Sequence, residues 1–457
     1  MLEGSDAREV TTATAAMSDP FFDLPTTRTD SLRELAAGGE RVLRALGRRL
    51  RQGRSPLRRE DIGRWTRPPL PDLSESQGPV VLYLPALPWS FRFQRPQQLA
   101  VALAELGPAV LYLEAFDRLR LNPPWRRRLD RPALQVVSRR LPGLPDPFRQ
   151  PFPQAAIEPL VAEVADHLRR RPEAVFAQLP FWSPFATALA QRLTVPLVYD
   201  RIDLHTAFPG TPAQVGEVET ELLAAADLVT ATSPDLAQRS LPHARRVELL
   251  PNAVDLERLP LAPSPGNQPP RAGFVGALDG RIDTTALRRC LDQLPWELHL
   301  AGRVEDPAVR ALGAHPRVTL YGEIPFSRVA AFLADLDVGL VPYTDQPLTR
   351  AIDSVKLYEM LAVGLPVIAR RLPGLAAWEG PEVALYDTPD ELVARLRHRR
   401  EDDGPEARLL RRQRVANEGW SARARRLAEL LEIPVLGSRS SAHPDDSGQL
   451  RTGPSNL

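Results

Sequence analysis

The sequence is short of several residue types. Of its 58 lysines and arginines only one is a lysine, Lys356. The single cysteine, Cys290, excludes an internal disulfide and a thiolate metal site, and its helical context TALRRCLDQL predicts a buried small side chain. No run approaches the roughly 20 apolar residues of a membrane span. The formal net charge of +1 argues against a general nucleic-acid binder.

The amino-terminal region bears on localisation. The first ten residues, MLEGSDAREV, carry acids where a secretory signal needs a basic region and an apolar run, so we expect a cytoplasmic protein. Residues 32–67 carry eleven arginines and four acids in a partly amphipathic pattern broken by glycines. Such a segment can lie peripherally on an anionic membrane surface or remain a solvated extension.

The apolar pattern predicts two domains, as a length of 457 residues also does. Over 78–255, short apolar runs such as PVVLYLPA and PLVYDRI alternate with helical periods, and the pattern resumes over 271–415 with RAGFVGA and VGLVPY. Such alternation indicates parallel sheets covered on both faces. The prediction is therefore an α/β fold with two Rossmann-like, doubly wound domains whose strand ends face a shared cleft.

The remaining segments complete this predicted organisation. Residues 256–270 are proline-rich and should form the linker between the domains. We expect an Arg-rich extension over 1–77 that is partly helical or disordered, a helix over 416–433 that crosses back to the first domain, and a disordered tail over 434–457.

The stretch DSVKLYEMLAVGLPVIAR, residues 353–370, predicts a helix that starts at a cap by Asp353 or Ser354. Gly364 should end this helix in the left-handed conformation, and Pro366 prevents its continuation. Lys356 then lies in the first turn, where the helix dipole is unfavourable to a cation. A bound phosphate would remove that cost.

Glu359 lies three residues further on, on the same helix face. Its carboxylate could accept hydrogen bonds from the vicinal diol of a ribose, so that Lys356 and Glu359 together would hold a nucleoside diphosphate. The alternative is a plain surface ion pair, but an arginine would serve that purpose equally well in this chain.

Motifs over residues 80–432 resemble those of the GT-B-fold glycosyltransferases, in particular the nucleotide-sugar enzymes of glycosyltransferase family four. They are QRPQQLA, VYDRIDLHTAFPG, PNAVDLERL, FVGALDGRID and KLYEMLAVGLPVIA, in that order. The resemblance implies that the second domain binds a nucleotide diphosphate sugar and that the first binds the acceptor. It also implies that no metal or other cofactor is required.

The resemblance assigns roles to residues of the second domain. Glu359 resembles the family's ribose-binding carboxylate, and Lys356 a donor contact. Gly276 resembles the glycine that lets the backbone approach the diphosphate, although a strand-ending turn also explains it. Arg281, in the following loop, is either a donor contact or a solvated charge.

One position departs from the family pattern. Many members have a Glu-x7-Glu motif whose first glutamate contacts the sugar, but Ala351 stands at that place here. The sugar contact is then expected from Asp353 or Asp345, or the donor sugar differs.

The first domain offers acceptor-side candidates at predicted strand ends. Asp200, Asp203 and His205 follow one another in PLVYDRIDLH. Asp203 is the candidate base for the acceptor hydroxyl, or orients it, although it could also satisfy turn amides. His205 is a candidate acceptor contact or a packed histidine. Gln94 and Arg95, which open the helix of WSFRFQRPQQ, are further acceptor candidates.

The predicted function is transfer of a hexosyl-type sugar from a nucleotide diphosphate sugar to a glycan or lipid-linked acceptor, in cell-surface polysaccharide or glycolipid synthesis. Two alternatives stay open. A sugar-nucleotide 2-epimerase has the same fold but needs no acceptor. An inactive GT-B binding or scaffold protein is the interpretation that Ala351 favours.

Overall fold

The protein is represented by a computed structural model. It describes residues 78–89, 92–114, 125–131, 133–139, 154–168, 170–398 and 403–435. The predicted extension over 1–77 lies outside these residues, as does the tail from residue 436 onward.

The first domain is built on an eight-stranded sheet with the order β3-β4-β2-β1-β5-β6-β7-β8. Its strands are β1 (Val80–Leu84), β2 (Ala109–Glu114), β3 (Trp125–Arg131), β4 (Leu134–Arg139), β5 (Ala174–Ala177), β6 (Leu197–Arg201), β7 (Leu228–Ala231) and β8 (Val247–Leu249). All neighbouring strands run parallel except β3, which pairs antiparallel with β4 at the edge. The helices between them are α1 (Arg95–Glu105), α2 (Gln154–His167), α3 (Ser183–Leu193), α4 (Val215–Ala225) and α5 (Pro234–Ser240).

The second domain is built on a six-stranded parallel sheet with the order β11-β10-β9-β12-β13-β14. Its strands are β9 (Arg271–Val275), β10 (Glu297–Ala301), β11 (Val318–Gly322), β12 (Val338–Val341), β13 (Val367–Arg370) and β14 (Val383–Tyr386). Its helices are α6 (Thr284–Gln293), α7 (Pro307–Leu312), α8 (Val329–Ala334), α9 (Pro347–Arg350), α10 (Val355–Ala362), α11 (Pro373–Ala376) and α12 (Pro389–His398). The two doubly wound sheets confirm the predicted fold class.

Both faces of the first sheet are buried, because successive side chains of a strand point to opposite faces. Val80, Leu82 and Leu84 of β1 pack in one apolar cluster, and Val81 and Tyr83 pack in another. Buried parallel strands therefore appear in the sequence as continuous apolar runs rather than alternating ones.

The chain returns to the first domain at its carboxyl end. Two helices follow the second domain, α13 (Pro405–Arg414) and α14 (Trp420–Leu430). Trp420 and Leu427 of α14 share a buried cluster with Leu99 and Leu103 of α1. The first domain therefore buries one of its faces against the end of the chain.

The two domains also meet directly, near the carboxyl ends of their strands. Leu204, Ala231 and Leu236 of the first domain form a buried apolar cluster with Ala351 of the second. The Ser233 hydroxyl donates a hydrogen bond to the Ala351 carbonyl at 2.7 Å. None of the helices within the described ranges is long and apolar enough to cross a membrane.

Candidate active site

The amino end of α10 lacks a side-chain cap. Ser354 occupies the N-cap position, but its side chain accepts no hydrogen bond from the helix, so the predicted capping is wrong. Its hydroxyl is buried and has no hydrogen-bond partner among the described residues. At the other end, Gly364 has φ +81°, which confirms the predicted left-handed stop. The helix therefore presents backbone amides and an unpaired hydroxyl at its start.

Lys356 and Glu359 lie on one face of α10 and form an ion pair. The lysine Nζ is 2.8 Å from the glutamate Oε2, and 26% of the lysine side chain is exposed against 3% for the glutamate. The ammonium has three donors and the carboxylate takes one of them. This pair differs from a solvated surface ion pair, because the carboxylate is buried. Removing either side chain would leave the charge of the other without its partner.

Gly276 follows β9, which lies between β10 and β12. The strand order reverses here, and open α/β sheets bind ligands at such a point. A Cβ on Gly276 would lie 2.6 Å from the Phe274 ring. Gly302, which follows β10, has φ +149°, and a Cβ there would lie 1.6 Å from the Gly276 carbonyl oxygen. Gly302 was not among the residues predicted from the sequence, although it follows a buried strand as Gly276 does.

Arg281 is held by its own loop. Its Nε and one terminal nitrogen donate to the two carboxylate oxygens of Asp279 at 2.8 and 2.7 Å. The side chain is half-buried, and burial opposes its charge, but the pair with Asp279 raises the pKa of its guanidinium nonetheless. Arg281 is therefore an ordered cation rather than a solvated loop charge.

Asp203 follows β6 of the first domain. Burial raises the pKa of its carboxyl to about 6, and the positive charge of Arg281 acts in the other direction. Both residues stand in loops that follow strands at the carboxyl edge of their sheets, Asp203 after β6 and Arg281 after β9. A carboxyl that titrates near neutral pH can accept a proton, which suits the predicted base.

His205 lies in a single helical turn over His205–Ala207, two residues beyond Asp203. Burial lowers the pKa of its imidazole to about 4, which keeps the ring neutral at pH 7, although Glu219 acts in the opposite direction. Its Nε2 is buried and has no hydrogen-bond partner among the described residues. The acceptor contact of His205 stays a prediction.

Arg95 begins α1 and is buried rather than exposed to an acceptor. It donates to both carboxylate oxygens of Asp200 at 2.8 and 2.9 Å, and to the carbonyls of Leu250 and Pro251 at 3.0 Å. These bonds join the start of α1 to the chain leaving β8. Gln94 is exposed, and its backbone N–H donates to the Gln97 side chain at 3.1 Å.

The two carboxylates proposed for the sugar contact have other partners. Asp353 accepts from the Asn252 N–H at 2.6 Å and from the Tyr358 hydroxyl at 3.1 Å. Asp345 is exposed enough to reach solvent and accepts from Arg350 at 2.9 Å. Ala351 is buried in the contact between the domains, so a glutamate at this position would bury its carboxylate among apolar side chains.

Within the described ranges, no group of three His, Cys, Asp or Glu side chains is placed to hold a metal ion. The predicted independence from metals stays a prediction.

Comparisons with known proteins connect this arrangement to sugar transfer. Residues 269–402 match the family model of glycosyl transferases group 1. A curated relative, the putative teichuronic acid biosynthesis glycosyltransferase TuaH of Bacillus subtilis, is 25% identical over 169 residues. That alignment covers 35% of this chain and 43% of the relative, so less than half of the relative's length is matched.

Solved structures share the two-domain fold. Sucrose-phosphate synthase from Thermosynechococcus elongatus superposes with a TM-score of 0.60 at 20% identity, over 78% of this chain and 98% of that one. Anabaena HepE, in a complex with UDP-glucose, superposes with a TM-score of 0.54 at 16% identity, over 77% of this chain and 99% of that one. The E. coli trehalose-6-phosphate protein bound to UDP-2-fluoro glucose superposes with a TM-score of 0.57 at 14% identity, over 78% of this chain and 99% of that one.

Together these findings define the class of the protein. The described chain has the GT-B fold, with two facing α/β domains. More particularly, the part of the chain that matches the family model of glycosyl transferases group 1, residues 269–402, contains α10 with Lys356 and Glu359. The resemblance to GT-B-fold glycosyltransferases is confirmed, and the narrower resemblance to glycosyltransferase family four stays a prediction.

Proposed function

We propose that this chain transfers a sugar from a nucleotide diphosphate sugar to an acceptor hydroxyl. The observation that carries the proposal is the start of α10. There the helix amides lack a side-chain cap, the N-cap residue Ser354 has a buried and unpaired hydroxyl, and Lys356 lies in the first turn. Each of these groups stabilises a phosphate. Glu359, one turn further along, is a buried carboxylate that can accept hydrogen bonds from ribose hydroxyls.

The proposed mechanism places electrostatic stabilisation at the leaving group. As the bond between the anomeric carbon and the diphosphate oxygen breaks, negative charge grows on the diphosphate. Fixed amides and the Lys356 ammonium stabilise that charge more strongly than the ground state, which lowers the barrier. Gly276 lets the backbone come close to the diphosphate at the point where the strand order of the sheet reverses.

On the acceptor side, Asp203 would take the proton of the attacking hydroxyl. Its pKa of about 6 leaves it mostly ionised at pH 7 and still basic enough to accept a proton. Arg281, which Asp279 orders in the loop after β9, is a cation that can also hold the diphosphate. His205 and Gln94 would contact the acceptor.

The proposed acceptor is a glycan or lipid-linked glycan of cell-surface polysaccharide or glycolipid synthesis. The support is the motif resemblance together with the relative named for teichuronic acid biosynthesis. The donor is a nucleotide-sugar, supported by UDP and UDP-glucose complexes of structures with this fold. We propose a cytoplasmic protein that acts without a metal or nucleic-acid partner, with its Arg-rich segment 32–67 on the inner membrane surface.

One observation favours the inactive binding protein as the second candidate. Ala351 replaces the sugar-contacting glutamate of the family and is packed between the domains. Hydrolysis of a bound donor above the background rate would argue against an inactive protein. The epimerase alternative would produce an epimerised nucleotide-sugar in the absence of any acceptor.

A screen followed by product analysis tests the proposal. Thermal stabilisation by a panel of nucleotide-sugars identifies the donor, because a ligand that binds only the folded state raises its stability. Incubation of that donor with and without lipid-linked acceptors, followed by mass spectrometry, identifies the reaction. A glycosylated acceptor together with free nucleoside diphosphate is expected, and an epimerised donor would replace this function with the alternative.

A further inference from the structure

Two hydrogen bonds join Asn252 to Asp353, which lies 101 residues further along the chain, and Asn252 donates both. The Asn252 backbone N–H donates to the Asp353 carboxylate at 2.6 Å, and the Asn252 side-chain amide donates to the Asp353 carbonyl at 2.8 Å. Both residues are buried. Because each residue uses its backbone and its side chain, the pair fixes the orientation of the two segments as well as their separation. We call it the Asn252–Asp353 clamp.

The Asn252 side of the clamp is anchored on the first domain. Arg95 donates to the Asn252 side-chain oxygen at 3.4 Å and to the Pro251 carbonyl at 3.0 Å. The same guanidinium is held by Asp200, which also accepts from Gln178 at 2.8 Å. The polar network therefore continues from the clamp into the core of the first sheet.

The carboxyl-terminal helix holds the same segment from another direction. Arg423 of α14 donates to the carbonyls of Pro251 and Asn252 at 3.1 Å. The chain between β8 and the linker therefore has little freedom relative to the first domain.

The Asp353 side of the clamp is anchored on α10. Asp353 directly precedes the Ser354 N-cap, and its carboxylate accepts from the Tyr358 hydroxyl, one turn into the helix, at 3.1 Å. At the far end of α10, Arg412 donates to the Ala362 carbonyl and to the linker carbonyl of Leu256, the latter at 2.9 Å. Both ends of α10 are thus attached to the chain that joins the domains.

We propose that the Asn252–Asp353 clamp positions the Lys356 helix against the first domain, so that the donor phosphates and the acceptor side are aligned for transfer. This inference rests on the proposed function. Asn252 and Asp353 are positioning residues, because their polar groups are taken up by each other and by Arg95, Arg423 and Tyr358. It also gives Asp353 a role different from the sugar contact expected from the sequence.

The test compares Asn252→Ala, Asp353→Ala and the double variant with a matched control, Asn267→Ala. Asn267 lies in the linker and donates to the Asp335 carbonyl at 2.9 Å and to Asp337 at 3.0 Å, all on the second-domain side. The readouts are kcat with the donor found by screening and the Kd of the corresponding nucleoside diphosphate, beginning with UDP-glucose and UDP.

Each clamp variant should lose about tenfold to a hundredfold in kcat, because a misplacement of about 1 Å costs that much. The nucleotide Kd should change by less than about threefold, since all the groups proposed to hold the nucleotide belong to the second domain. The double variant should lose no more than the worse single variant, and Asn267→Ala should keep its kcat. A sugar contact by Asp353 would instead leave Asn252→Ala fully active, which would overturn the proposal.

A second readout does not depend on activity. Spin labels on Glu221→Cys of the first domain and Arg288→Cys of the second report the distance between the domains, and both positions are exposed. The native thiol of Cys290 is buried, which raises its pKa to about 12, so it should stay unlabelled. Asp353→Ala should broaden the distance distribution measured by pulsed electron resonance, and Asn267→Ala should not.

The outcomes separate the two claims. If the wild type binds no nucleoside diphosphate and transfers no sugar, the proposed function fails, and the distance measurement alone then decides the clamp. If transfer is observed but the clamp variants keep both wild-type kcat and a narrow distance distribution, the clamp fails while the function stands.

Discussion

Replacing Lys356 by glutamine should lower kcat by about 10²-fold while the protein stays folded. A fixed donor aimed at developing charge contributes about 3 kcal/mol to the transition state, which is about a hundredfold in rate. Glutamine retains an N–H donor for the Glu359 carboxylate, which lies 2.8 Å from the lysine nitrogen. The free energy of unfolding should fall by about 1–3 kcal/mol, because the buried carboxylate keeps a hydrogen bond but loses the positive charge that compensates it.

The assay measures kcat, nucleotide Kd and chemical unfolding for the same preparations. Lys356→Arg is the informative companion, because it retains the charge but replaces a compact ammonium by a planar group of different reach. Arg239→Gln is the matched control, since it removes the cation of an exposed helical ion pair with Asp235 on the first domain. The control should have wild-type kcat and a loss in stability of about 0.5 kcal/mol or less.

Two results would refute the reasoning about Lys356. A folded Lys356→Gln variant with wild-type kcat would show that the ammonium does not stabilise the leaving diphosphate. A large loss of stability with unchanged kcat per folded molecule would show that the Lys356–Glu359 pair stabilises the fold and takes no part in catalysis.

Three further predictions follow from individual side chains. Activity should rise as pH increases through about 6, where Asp203 loses its proton, and Asp203→Asn should abolish this limb of the pH–kcat profile. Burial also raises the pKa of the Asp353 carboxyl to about 6. The protonated carboxyl therefore favours folding below about pH 4, and this contribution to the free energy of unfolding is lost as pH rises to about 6. In denaturant titrations, Asp353→Asn should lose less stability than the wild type over this pH range. Gly302→Ala should destabilise the fold by more than about 3 kcal/mol, since its Cβ would overlap the Gly276 carbonyl, and a wild-type melting temperature would contradict this.

The fold was largely predictable from the sequence because buried parallel strands leave continuous apolar runs between helical periods. β3 (Trp125–Arg131) is the exception, since WRRRLDR pairs antiparallel at the sheet edge and has no apolar run. Gly364 was also predictable, because a left-handed residue between a helix and Pro366 favours glycine.

The site was predictable only where one local segment contains it. Lys356 and Glu359 are three residues apart on one helix, so their contact follows from helical spacing. The contact of Arg95 with Asp200 joins residues 105 apart, and a single sequence does not contain that information. The same holds for Asp353, whose carboxylate turns to Asn252 instead of capping the helix that it precedes.

The most direct measurement of the central claim is a crystal structure of the protein with a nucleoside diphosphate, after calorimetric titration with UDP, GDP, ADP and dTDP. The account predicts phosphate oxygens within about 3 Å of the first-turn amides of α10 and of the Lys356 ammonium, with the ribose hydroxyls on Glu359. A nucleotide bound away from the start of α10, or no binding by any of the four, would contradict it.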